Sequence, residues 1–127
     1  MVKNDIVPEL SKVEFDNFVK EGVVFVDFYA DWCMPCMMMS PIIDDLSEKF
    51  KGKIKFGKVY VGESQDLAQK FGVSSIPHLM VFKDGKKIEE YIKTGKMKGY
   101  EILKKQVPAF IILITILFGV QNTVNLY

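Results

Sequence analysis

Eight consecutive positions, 23–30, read VVFVDFYA: all are apolar, β-branched or aromatic except Asp27. A run without polar alternation predicts a strand covered on both faces. Upstream, Ser11-Lys12-Val13-Glu14 has the form of a capping box, and Phe15, Phe18 and Val19 follow at helical spacing before Gly22. A first helix is expected over about 11–21. After Cys33, the residues Met38, Ile42, Leu46 and Phe50 recur every four positions, which predicts a helix packed on a sheet, with Met38 on its core face. That helix would begin at the cysteines, and Pro41 should kink it.

Residues 54–61 read as a second central strand, and residues 64–71 as a short helix closed by Gly72, completing a βαβ unit. Beyond Ile76-Pro77, residues 78–82 form a strand, Asp84-Gly85 a hairpin turn and residues 87–93 an antiparallel return. A last helix is expected over 98–107, where Pro108 interrupts it. There is no internal repeat and no low-complexity linker. The order predicts an α/β fold: a mixed central β-sheet flanked by helices on both faces, followed by an apolar C-terminal extension.

Chain length, 127 residues, leaves room for one ordinary domain that can bury a core without disulfide staples. A formal charge of +1 gives no bulk field arguing for nucleic acid or an acidic substrate. The first twelve residues mix Lys3, Asp5, Pro8 and Glu9 with a few apolar ones, unlike a secretory signal, so a cytoplasmic location is the expectation.

Cys33 and Cys36 are the two cysteines of the sequence, too close together to staple a long loop. A zinc site needs about four ligands, and His78 is the one histidine to join them, so zinc would require two chains to share the metal. Cys33 falls where a buried strand meets a helix, near free backbone N–H groups and the positive end of the helix dipole. That setting favours the thiolate, the species that attacks disulfides. Pro35 falls in the first helical turn, where its missing N–H costs no bond. Cys36, three residues on, can then resolve the mixed disulfide. A bare Cys-x-x-Cys also fits half a zinc ribbon; the strand before it, the helix after it and the lack of a second pair favour redox chemistry.

At these residues the sequence resembles the thioredoxin family, whose active-site segment looks like Val26-Asp27-Phe28-Tyr29-Ala30-Asp31-Trp32-Cys33-Met34-Pro35-Cys36. The resemblance covers about 11–107 and includes Pro41 at the helix kink, Lys58 on the central strand, Ile76-Pro77 at the cis-proline and Asp84-Gly85 at the hairpin. Glutaredoxins usually place proline directly after the first cysteine, where this chain has Met34, so the thioredoxin branch is preferred. Met34 departs from the family's usual glycine, Met37 from a common basic residue, and His78 from a frequent threonine.

What the resemblance implies is a protein-disulfide reductase with a thioredoxin-like fold, served by a thioredoxin-reductase-type electron donor and needing no metal or organic cofactor. Cys33 and Cys36 would close to a disulfide when oxidised. Lys58 would pair with Asp27, and Ile76 and Pro77, beside the cysteines, would receive an extended substrate segment. The alternative of a different class is a redox-inert or metal-sharing module that holds peptides in the same groove.

Asp27, between Val26 and Phe28, should be buried, which raises its pKa and suits it to exchange protons with Cys36. An aspartate facing water from an edge strand is the alternative, as is a Lys58 that snorkels to solvent or a trans Pro77. Trp32, with Met34 and Pro35, is expected to offer substrate an apolar contact, although a half-buried structural tryptophan would look the same. Met37, Met38 and Met39 give either an adaptable rim or a run split between core and surface. His78 either tunes the thiolate or lines the groove and is left out of the catalytic set.

Every charged residue lies at or before Lys105, and residues 106–127 carry none. The expected organisation is therefore a domain over 1–107 and an uncharged apolar tail over 108–127. A helix over 107–120 would span roughly 21 Å, short of the roughly 30 Å hydrocarbon layer that a helix continued to Tyr127 would reach. An extra packed helix, an oligomer contact, a sequence artefact and an anchor on the cytoplasmic face of a membrane are the candidate accounts.

Overall fold

A computed structural model describes residues 7–92. The helix expected over 98–107 and the tail over 108–127 lie outside the described residues. Seven elements follow in order: α1 Lys12–Val19, β1 Val23–Tyr29, α2 Met34–Lys49, β2 Lys55–Tyr60, α3 Gln65–Lys70, β3 His78–Lys83 and β4 Lys86–Ile92. The sheet order is β2-β1-β3-β4, with β1 and β2 parallel and the pairs β1/β3 and β3/β4 antiparallel. β1 is therefore interior to the sheet, as its unbroken apolar run requires.

Two cores lie on opposite faces. On one, Phe25, Phe56, Leu79 and Val81 pack under Met39, Ile42, Ile43 and Leu46 of α2. On the other, Val24, Val26, Phe28, Val59, Met80 and Phe82 pack against Phe15 and Val19 of α1 and Leu67 of α3. Strand alternation sorts the residues into these faces and so sets which side chains can reach the start of α2.

Ser11 caps α1 as expected: its Oγ accepts from the Glu14 N–H, and its own N–H donates to Glu14 Oε1 at 3.0 Å. The helix is shorter than the sequence suggests, because the hairpin takes over its end. Gly85 N–H donates to Val19 O at 2.9 Å, and Gly22 N–H donates to Asp84 Oδ1 at 2.9 Å. Asp84 and Gly85 both have positive φ, 50° and 88°, the conformation of the two-residue turn that joins twisted strands.

One core position corrects the four-residue spacing. Met39 is fully buried, while Met38 is half-buried at the margin of the same core. A strict step of four drifts about 40° per step on a helix of 3.6 residues per turn, whereas 39, 42, 43, 46 and 50 keep to one stripe. α2 continues through Pro41.

Candidate active site

β1 ends at Tyr29, and Ala30 to Trp32 turn the chain so that Cys33 becomes the N-cap of α2. The Cys33 N–H donates to Ala30 O at 3.3 Å, and its carbonyl accepts from Met37 N–H at 3.1 Å. Its Sγ accepts the Cys36 N–H at 3.2 Å, so the sulfur takes the place a serine or aspartate oxygen often holds at a helix start. Pro35 sits in the first turn, where no N–H is wanted. Cys33 and Cys36 are joined by a disulfide, with their Cα atoms 5.2 Å apart.

Both cysteines pack with Tyr29 and Ala30, and half-buried Tyr60, Val61 and Ile76 close around them. Trp32 and Met34 stand out beside them at 74% and 63% exposure, so the rim of the disulfide is apolar and open. The Ile76–Pro77 peptide is cis and Pro77 is buried. Ile76 thus joins the cysteine cluster from the segment that leads into β3.

Asp27 is buried in the interior strand, opposite Lys58 on β2 and Leu79 on β3. Its register with Phe25 aims it at the face that α2 covers. Burial pushes its carboxyl up from 3.8 to about 7; the Lys58 charge opposes this, and the Asp44 charge adds to it. Among the described residues Asp27 Oδ1 has no hydrogen-bond partner. The alternative of an edge-strand aspartate facing water is therefore overturned. Half-buried Lys58 holds its ammonium 5.5 Å from the Tyr29 ring centroid, and its backbone pairs with residues 8–10.

Four interactions leave no mark in the sequence pattern. Asp44 borders the buried stripe of α2, one residue beyond Ile43, and acts on Asp27 through its charge. The Tyr29 hydroxyl donates to Glu9, and the Tyr60 hydroxyl donates to Asp31 at 3.0 Å. His78 faces away from the cysteines, on the side of Phe28, and bonds Glu90. Among the described residues no group of three or more His, Cys, Asp and Glu side chains is arranged to hold a metal ion.

A dithiol–disulfide pair at the start of a helix, reached from a buried interior strand that also carries a buried carboxyl, is the site of a thiol–disulfide oxidoreductase. Comparison with known proteins agrees: the thioredoxin family model matches residues 6–106. The chain is 40% identical to a thioredoxin of Pseudomonas aeruginosa over 98 residues, which is 77% of this chain and 84% of that protein. It is 38% identical to one of Staphylococcus aureus over 86 residues, 68% of this chain and 83% of that protein. With one of Bacillus subtilis it shares 45% identity over 75 residues, 59% and 72% of the two chains. The chain belongs to the thioredoxin family. It is a protein-disulfide reductase with a redox-active dithiol, and the redox-inert alternative falls away.

Proposed function

We propose that Cys33 is the attacking thiolate of this reductase and Cys36 the resolving thiol. The observation that carries the assignment is the Cys33 sulfur at the N-cap of α2, accepting the Cys36 N–H at 3.2 Å. A negative sulfur is stabilised there by the backbone donor and the helix dipole. Cys36 lies one turn further in, where its thiol lacks that site.

The Cys33 thiolate attacks one sulfur of the substrate disulfide, forms a mixed disulfide and expels the other substrate sulfur as a thiolate. Cys36, losing its proton, attacks Cys33 Sγ; the intramolecular disulfide forms and the second substrate sulfur leaves. Two electrons have passed to the substrate. Asp27, buried on the α2 side with a carboxyl titrating near neutrality, is the group we assign to take the Cys36 proton, with Lys58 beside it favouring the charged form. Trp32, Met34 and Pro35 on one side and Ile76 and Pro77 on the other are assigned to hold the substrate segment, a role supported by the exposed rim and the packing of Ile76 on the cysteines.

A thioredoxin-reductase-type donor would return the two electrons, and a reducing compartment, the cytoplasm, suits a dithiol reductant. We assign the domain to 1–107 and give the uncharged tail over 108–127 a role in location or association; the family match ends at residue 106. Among the described residues no helix is long and apolar enough to cross a membrane. Trapping tests the cysteine assignment: reduced Cys36→Ser mixed with a protein disulfide should accumulate a mixed disulfide at Cys33, and Cys33→Ser should not. Accumulation in Cys33→Ser alone would overturn it.

A further inference from the structure

Of the buried polar residues among those described, Asp27, Ser64 and His78, the reaction uses only the first. His78 is 2% exposed, and its Nε2 lies 2.7 Å from Glu90 Oε1. A carboxylate only accepts, so Nε2 is the donor. The other ring nitrogen, Nδ1, is buried and has no hydrogen-bond partner among the described residues, and the ring meets Phe28 edge-on with centroids 6.3 Å apart. The His78 donor, with Lys87 3.4 Å away, holds the Glu90 carboxyl below its usual range.

Position gives this pair its meaning. His78 is the first residue of β3 and directly follows Pro77, paired with Phe28 on the interior strand and Ile92 on the edge strand β4. Glu90 is opposite Met80, so the bond runs diagonally across the last rungs of the β3/β4 ladder, where edge strands open most readily. The segment before His78 belongs to no helix or strand, yet carries Ile76 onto the cysteines. Its placement therefore depends on where β3 begins. A part-buried hydrogen bond with one ionised partner fixes that point more strongly than a neutral rung does.

We propose that His78 and Glu90 are positioning residues for the reductase, clamping the start of β3 to the edge strand so that the Ile76-Pro77 segment stands ready for an extended polypeptide substrate. The proposal rests on the assignment of that segment to substrate binding. A small disulfide needs the sulfurs and little of the segment, so the two substrate classes should respond differently.

The test compares insulin with dithiobis-nitrobenzoate, a small aromatic disulfide, as substrates of His78→Leu, Glu90→Ala, His78→Gln and Ile76→Ala, each checked by thermal melt. His78→Leu and Glu90→Ala should raise KM for insulin by roughly tenfold with kcat, and turnover of the small disulfide, unchanged. His78→Gln, which keeps a donor able to reach Glu90, should return KM to within about twofold of the wild type. If His78→Leu does not fold, Glu90→Ala at the exposed edge carries the test. An unchanged insulin KM, an equal loss on both substrates, or no rescue by His78→Gln would overturn the proposal. Ile76→Ala separates the two layers: if it too leaves the insulin KM unchanged, the substrate-segment assignment has failed; if it alone raises KM, only the clamp has.

Discussion

Asp27 shows how a single residue couples reactivity to stability. Its carboxyl titrates at about 7 in the folded chain against a usual 3.8, because burial outweighs the Lys58 charge. Below the usual value the group is protonated in both folded and unfolded chains and makes no difference. As pH rises toward about 7 the unfolded chain ionises first, so folding stability falls, by about 4 kcal/mol at most once both states are ionised. Asp27→Asn should therefore raise the melting temperature near pH 8 and leave it nearly unchanged near pH 4; equal melts at both would contradict the burial account. The same variant should slow the resolving step, and an unchanged rate across about pH 6 to 9 would remove Asp27 from the chemistry. Asp27 was legible in the sequence because a lone charge inside an apolar run has few places to go. His78 was not, since its partner lies twelve residues away across the sheet and leaves no periodic trace. The Tyr29–Glu9 bond, twenty residues apart, was hidden for the same reason.

At the scale of elements, α2 decides both the core and the reaction, because one helix carries the cysteines at its start and the buried stripe along its length. Met39 lies wholly inside that stripe and Met38 on its margin. Met39→Ala should cost about 2–5 kcal/mol and Met38→Ala clearly less, measured by denaturant unfolding. The reverse order would restore the four-residue spacing and move the stripe. On α1, Ser11→Ala removes the capping box and should cost about 1 kcal/mol. Element types were readable from periodicity and turn residues: the hairpin at Asp84-Gly85 stands where the sequence places it, with both residues at positive φ. Boundaries were less readable where tertiary contacts set them. Here α1 stops at Val19, whose carbonyl bonds the hairpin.

For the whole molecule, the described residues already hold both cores, the dithiol and the buried carboxyl. Removal of residues 109–127 should therefore leave a folded, redox-active protein, tested by circular dichroism and insulin reduction; loss of the fold would place the domain boundary elsewhere. If the tail anchors the chain, the full-length protein should sediment with membranes and the shortened one should not. If it packs on the domain instead, shortening should lower the melting temperature by several degrees, as a loss of about 1–2 kcal/mol implies. The α/β class and the dithiol were readable because each left several marks along the chain. The tail's role was not, because an uncharged apolar run suits burial in protein and in lipid alike. Whether the helix start makes Cys33 the nucleophile is decided by alkylating the freshly reduced wild-type protein with iodoacetamide near pH 7 and mapping the modified cysteine over time by mass spectrometry. Cys33 should be modified first and well ahead of Cys36; modification of Cys36 first would make Cys36 the nucleophile.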